Sequence, residues 1–323
     1  MRQSLRRMRR AALATTAAAG AVAAAVMGLA PSSANASTTA PTSQTRPTVD
    51  KPCGVASSAD APAKYQHVIW ILMENKSFNQ VIGSSETPYI NKLAGQCGLA
   101  TNYQAISHPS LPNYIALTSG GLQGVTDDAN PSAHPLNVPS IFSQLHGDWR
   151  GLDESMKSNC EQTNDGNYAV RHNPATYYTN IRDICNDKDI PLPASGSLTG
   201  DLSAKFTFVT PDVCDDMHSV CPTSVNGSEL QTGDKFLSNF VPRLINSNEY
   251  QSGNTAIFLT FDEGGSGPNS VVTEVIAPTV TPGTTSNTLF SHYSLLGTTE
   301  EMLGLPKLEN ATTAASMKSD FGL

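Results

Sequence analysis

Residues 67–75 read HVIWILMEN, an apolar run with no alternation that stops at Glu74 and Asn75. A half-buried strand alternates polar with apolar, so an unbroken run of this length reads as a strand covered on both faces. Two later stretches repeat the layout. Residues 205–210 (KFTFVT) stop at Pro211-Asp212, followed by CDDMHS, and residues 255–261 (TAIFLTF) stop at Asp262-Glu263-Gly264-Gly265. Segments PYINKLAGQ (88–96), PSIFSQLHG (139–147) and SLLGTTEEMLGL (294–305) carry helical spacing and capping residues between or after these runs. The alternation predicts an α/β fold, a central mostly parallel sheet flanked by helices. Parallel strands deliver their carboxyl ends to one edge, where ligands bind, so the acids at the three strand ends converge.

Taken singly, an acid after a strand is most often a turn former or a helix cap, and Asn75-Lys76-Ser77 reads equally well as a helix start. Doublets at the ends of two otherwise apolar strands are a different matter. Buried carboxylates are costly without a counter-charge, and a cation resolves the problem.

Residues 107–121 (SHPSLPNYIALTSGG) place Ser110 between Pro109 and Pro112, ahead of a short apolar run and two glycines. Proline in a first turn and glycine after the last predict a helix that begins near Ser110 and stops at Gly120-Gly121. Free N–H groups and the helix dipole at that end favour a phosphate or a developing oxyanion. A serine there is a nucleophile only when a base or a metal activates it, and otherwise it is a cap. No Gly-x-Ser-x-Gly elbow surrounds it, which disfavours an α/β-hydrolase triad.

The ends of the chain set the compartment. Five arginines lie in the first ten residues, an alanine-rich stretch follows from 11 to 30, and Ala34-Asn35-Ala36 offers a cleavage site. Residues 1–36 thus read as a signal peptide and the protein as secreted. Residues 37–63, rich in Ser, Thr, Pro and Ala, read as a flexible leader, and residues 64–323 as one catalytic domain. Taking those five arginines from the 20 basic residues, against 28 acidic, moves the formal charge from −8 to −13, which argues against a nucleic-acid partner. No basic amphipathic stretch predicts a membrane anchor. Six cysteines in an exported chain suit up to three disulfides, with 15 pairings open. The oligomeric state has no signature in the sequence.

HVIWILMENKSFNQVIG, SHPSLPNYIALTSG, RHNPATYY, FTFVTPDVCDDMHS, AIFLTFDEGG and HYSLLGTTEEMLGLPKL succeed one another across about residues 65–323. In these motifs and their order the chain resembles the phosphoesterase family that groups secreted acid phosphatases with bacterial phospholipases C, within the alkaline phosphatase superfamily. The resemblance implies an alkaline-phosphatase-like sheet and hydrolysis of small phosphate esters through a phosphoserine on Ser110. It implies one divalent cation (Mg, Ca, Mn or Zn) held by Glu74, Asn75, Ser110, Asp262 and Glu263. It makes His218, on a loop that a Cys214–Cys221 bridge would pin, the candidate to bind the phosphoryl group or protonate the leaving alcohol. Asn113, His172 and His292 are the further candidates for phosphate binding. The chain departs from the two-zinc alkaline phosphatases in offering oxygen donors where those use histidines, and lacks the arginine of the sulfatase motif after Ser110-Leu111-Pro112. Phospholipase relatives carry additional C-terminal domains, whereas this chain ends soon after LLGTTEEMLGL; phosphate monoesters are therefore the expected substrates. A phospholipase C-type phosphodiesterase is the alternative within the class, and an inactive secreted binding protein with this fold is the alternative outside it.

Overall fold

All three apolar runs become strands, and they are neighbours. The computed structural model describes residues 45–196, 198, 200–265 and 269–323; the expected signal peptide, residues 1–36, and residues 37–44 lie outside them. In chain order the strands are β1 (His67–Met73), β2 (Gly98–Gln104), β3 (Trp149–Asp153), β4 (Asp189–Pro191), β5 (Phe206–Thr210), β6 (Thr255–Phe261), β7 (Ser270–Ile276), β8 (Thr284–Ser286) and β9 (Phe290–Ser291). Among the described residues they form one sheet in the order β4-β3-β5-β1-β6-β7-β2-β8, with β9 also beside β2. Only β7 runs antiparallel to its neighbours; the other pairings are parallel. The expected mostly parallel α/β sheet is therefore present.

β1 lies between β5 and β6, and from Val68 to Met73 its side chains are fully buried, as are those of β6. Helices on both faces account for the lack of alternation. Trp70 packs edge-on against Phe206 at 4.7 Å and donates its indole N–H to Thr299 Oγ1 at 3.0 Å, which ties the centre of the sheet to the helix His292–Leu303. Register fixes which side chains meet at the sheet's edge: Met73 is the partner of Phe261, so Glu74 and Asp262 leave the sheet side by side, and the Asp262 N–H donates to Met73 O at 3.0 Å.

The expected helix over 88–96 is present as Pro88–Gln96, and the one after Pro109 as Ser110–Ser119. Gly120 ends the latter in the left-handed conformation, φ 83°, and a Cβ there would lie 2.6 Å from Leu308 O. The middle segment forms only one turn, Ile141–Gln144. Among the described residues no helix is long and apolar enough to cross a membrane.

The leader is shorter than its composition indicates. Cys53 is buried and bonded to Cys97, the Val55 and Ala56 N–H groups both donate to Pro278 O at 3.0 Å, and Tyr250 donates its hydroxyl to Pro52 O at 2.9 Å. Composition misses this because one cross-link closing 44 residues contributes about 4 kcal/mol by chain entropy, enough to anchor a segment that buries little of itself.

A second pair of buried acids lies at the end of β3 and the start of β4. Asp153 and Asp189 each leave one carboxyl oxygen with no other partner, while Asn173 Nδ2 donates to Asp189 Oδ2 at 2.8 Å. Burial of two neighbouring carboxyl groups favours a proton held between them. Burial, then the neighbouring carboxylate, holds Asp153 well above the usual carboxylate range, and burial raises Asp189 to about 6. Both native values exceed the unfolded value of about 4, so the folded state binds more protons. Stability from this pair is complete below about pH 4 and is lost as pH rises through 6 and beyond. Asp153→Asn, which keeps the hydrogen bond and removes the titration, is expected to raise the thermal midpoint at pH 8 relative to the parent and to change it little at pH 4. Equal shifts at both pH values would disprove the shared proton.

Candidate active site

Glu74 ends β1 and Asn75 turns the chain in a left-handed conformation, φ 56°, which asparagine tolerates better than most residues. That turn sends the Asn75 N–H to Asp262 Oδ1 at 3.0 Å and its side-chain Nδ2 to Glu74 Oε2 at 3.0 Å, leaving the amide oxygen free for a ligand. Across from them the helix Ser110–Ser119 brings up its first residue. Every residue of this helix is buried. Its N-cap is Pro109, which has no capping side chain, so Ser110 is not a cap: its hydroxyl donates to Glu74 Oε2 at 2.9 Å. Tyr114, one turn on, donates to the other oxygen, Glu74 Oε1, at 2.7 Å.

The third strand end contributes through the loop closed by the Cys214–Cys221 disulfide. Glu74 N–H donates to Asp216 O at 2.8 Å, which seats the fully buried Asp216 beside Glu74. Burial, followed by the charges of Asp262 and Asp216, holds the Glu74 carboxyl well above its ordinary range. Burial raises Asp216 as well, and Asp262 to about 6. The ammonium beside them, Lys76, is committed to Met217 O at 2.7 Å and to Glu229 at 3.8 Å. Asp262 Oδ2 and Asp216 Oδ2 are buried with no hydrogen-bond partner.

Three buried carboxyl groups, two of them with an orphaned oxygen, a serine hydroxyl and an amide oxygen fit a divalent cation. Glu74, Asn75, Ser110 and Asp262 are the residues that would hold it, and an oxygen-rich set of this kind suits a hard or borderline ion. Glu74, His172 and Asp216 form a second group whose donor atoms lie within 4.8 Å of one another. Glu263, expected as a ligand, is turned aside. Its Oε2 accepts from Asn113 Nδ2 at 3.2 Å and faces His108 Nδ1 at 3.0 Å, and burial raises it to about 8.

The other expected residues also take up definite places. Asn113 accepts from the Ile106 and Ser107 N–H groups and donates to Ser107 O and Pro109 O, so its amide braces the approach to Ser110 and has no group left for phosphate. His292 donates Nε2–H to Asp262 O at 2.6 Å and accepts from the Tyr103 hydroxyl at 3.1 Å. Buried and with its pKa lowered to about 4, it is a neutral buttress behind Asp262. His172 stacks on Tyr114, with Nε2 3.1 Å from Glu74 and Nδ1 3.2 Å from Asp216; burial lowers its pKa, as do Arg171 and His218.

His218 takes a hydrogen bond at Nε2 from Arg171 Nη2 at 3.0 Å, and since a guanidinium only donates, the ring proton sits on Nδ1, 2.8 Å from Ser219 Oγ. Burial, Arg171 and Lys76 all lower its pKa. The geometry gives it the orientation of Arg171, not a proton to hand to an alcohol. Sequence reasoning missed Arg171, Tyr114, Asp128 and the ligand-like placement of Asp216. For Asp216 a signal existed, the acid doublet in CDDMHS, displaced four residues beyond the strand end.

Comparison with known proteins places the chain in a family. The profile of the Phosphoesterase family matches residues 84–306. The chain is 30% identical over 273 residues to a phosphatidylinositol-3-phosphatase of Mycobacterium tuberculosis, covering 83% of this chain and 87% of that one. It is 31% identical over 264 residues to a phosphate-repressible acid phosphatase of Penicillium chrysogenum, covering 76% of this chain and 60% of the fungal one, so it spans about three-fifths of that relative's length. A solved member of the alkaline phosphatase superfamily from Vibrio parahaemolyticus superposes with a TM-score of 0.54 at 12% identity, over 80% of this chain and 72% of that one, which shows a shared fold.

Because a ligand that binds only the folded state stabilises it by mass action, adding Mg²⁺, Ca²⁺, Mn²⁺ or Zn²⁺ to chelator-stripped protein is expected to raise the thermal midpoint. Asp262→Asn should lose that shift, while Glu263→Gln should keep most of it. Loss in Glu263→Gln alone would show that Glu263 turns back to ligate.

Proposed function

The chain belongs to the Phosphoesterase family and is a phosphoric ester hydrolase, and we propose that it is an exported, metal-dependent acid phosphatase that cleaves phosphate monoesters through a phosphoserine on Ser110. The observation that carries this reading is the Ser110 hydroxyl at the start of a buried helix, donating to Glu74 at 2.9 Å within a cluster of carboxyl groups. The likeness to relatives named acid phosphatase and phosphatidylinositol-3-phosphatase supports the substrate class, since both names denote removal of phosphate from a monoester.

When bound, a divalent cation lowers the pKa of a ligated hydroxyl and withdraws charge from phosphoryl oxygens. The chain's own residues do the rest. Ser110 Oγ attacks phosphorus as its proton passes to Glu74 Oε2, the bond to the alcohol oxygen breaks, and the alcohol takes a proton from the acidic solvent. Water then attacks the phosphoserine, the bond between phosphorus and Ser110 Oγ breaks, Glu74 returns the proton to Oγ, and phosphate leaves. Tyr114 holds Glu74 from the other oxygen, so that Oε2 stays aimed at Ser110. Asn75 and His292 fix Asp262 through its side chain and its carbonyl respectively. Export is supported by the N-terminal reading and by three disulfides, Cys53–Cys97, Cys160–Cys185 and Cys214–Cys221.

Ser110→Ala is expected to lose turnover of a soluble monoester by roughly a thousandfold or more while its thermal midpoint stays near the parent's. Mass spectrometry of acid-quenched parent enzyme should show a phosphate adduct on Ser110, and exhaustive chelation should abolish turnover. A folded Ser110→Ala protein with parental turnover would remove the phosphoserine; no turnover of any ester would leave the binding-protein reading. A specificity constant tenfold higher for a phospholipid or soluble diester, equivalent to about 1.4 kcal/mol, would make it a phosphodiesterase.

A further inference from the structure

The amide of Leu111, next to the nucleophile, is one of the free N–H groups of its helix and the natural place for a phosphoryl oxygen. It is occupied by a side chain of the protein itself: Asp128 Oδ1 accepts from Leu111 N–H at 2.9 Å, reaching back 17 residues from the segment that follows the helix. Asp128 Oδ2 lies 4.0 Å from Arg171 Nε, and Arg171 Nη2 donates to His218 at 3.0 Å. A carboxylate thus sits between a helix amide and a guanidinium, which are the partners that recognise a phosphoryl group.

Three further observations place this contact at the mouth of the site. Asp128 bears on Glu263, raising its pKa, and on His218 and Tyr177. Arg171 bears on Asp216 and His172 in the buried cluster. The orphaned Asp262 Oδ2 belongs to the same cluster, since Asn75 bridges Asp262 Oδ1 and Glu74 Oε2, the acceptor of the Ser110 hydroxyl. Asp128 itself keeps a side-chain exposure of 36%, so it has water to swing into, whereas Arg171 at 19% is steered by His218 and has N–H donors to spare.

We propose that Asp128 is a resident anion in the phosphoryl subsite, displaced when a substrate phosphoryl group or free phosphate takes over the Leu111 amide and Arg171. The proposal deepens the phosphatase reading and rests on it for the role of Ser110. Displacement makes every phosphate group compete with a tethered carboxylate, so it weakens product phosphate as well as substrate. Asp128 is therefore a specificity residue: it sets affinity for phosphoryl groups, and Arg171 supplies the charge that receives them.

The test measures inhibition by inorganic phosphate, and KM and kcat for a soluble aryl phosphate, in the parent, Asp128→Asn, Asp128→Ser, Arg171→Lys and Arg171→Ala. Asp128→Asn keeps an acceptor for Leu111 and removes the charge, and the expected result is a phosphate inhibition constant and a KM at least fivefold lower than the parent's. Asp128→Ser, which shortens the side chain, should move both constants the same way. Arg171→Ala should raise both at least tenfold, with partial recovery in Arg171→Lys. If Asp128 only braces the helix or holds Arg171 in place, both Asp128 variants will raise these constants or leave them unchanged, and the proposal is overturned. Direct titration of inorganic phosphate by calorimetry separates the two readings. Tighter binding to Asp128→Asn in a protein that hydrolyses no ester would support the subsite and sink the phosphatase reading. Unaltered binding in an active enzyme whose Ser110→Ala variant is dead would sink the subsite alone.

Discussion

The mutual repulsion of three buried carboxyl groups, Glu74, Asp216 and Asp262, is the constraint on which the rest of the structure depends. Each leaves or follows the carboxyl end of one of three adjacent parallel strands, and the Met73–Phe261 register sets two of them side by side. Nothing apolar stabilises such a grouping. The surroundings answer it instead: an asparagine in a left-handed turn, hydroxyls from Ser110 and Tyr114, and an imidazole between Glu74 and Asp216. In the proposed reading a dication in their midst would replace the protons that burial otherwise imposes, and the same ion would activate a serine at a helix start. Fold and chemistry are joined at this point.

His172, His218 and His292 are buried or half-buried with lowered pKa values, and each nitrogen that can be assigned is engaged in holding something else: His292 holds the Asp262 carbonyl and His218 holds Arg171. Histidine usually signals acid–base work near neutrality. Here burial removes it from that work, and the acidic range is left to carboxyl groups whose own titration is moved upward, in the cluster and again in the Asp153–Asp189 pair.

The centre of the fold was legible in the sequence because its signals are local. Unbroken apolar runs gave β1 and β6 to the residue and β5 to within one, and proline and glycine bracketed the helix after Pro109. Glu74, Asn75, Ser110 and Asp262 were legible for the same reason, since a strand end or a helix start fixes where their side chains point. What escaped was set by contacts distant in sequence. Asp216 reaches the cluster only because its loop folds back onto β1, and Glu263 turns away because Asn113 and His108 hold it. Arg171 and Asp128 come from irregular segments whose composition carries no periodicity. Cys53 could not reveal its partner, so composition alone starts the folded body too late.

The helix that carries Ser110 has no solvent-facing residue in its ten positions. Sequence drift is thereby forbidden along the whole of it, since any change meets packed neighbours. Diversification among descendants of such a chain must be written elsewhere: in the approach 106–109, in the segment after Gly120 that supplies Asp128, and in the disulfide-closed loop. Exposed positions in these three pieces, such as His108, Asp127 and Val220, can change without moving the hydroxyl. One rigid serine, if it is the nucleophile proposed above, can in this way serve many leaving groups, with novelty arising at the rim while the hydroxyl stays where the sheet put it.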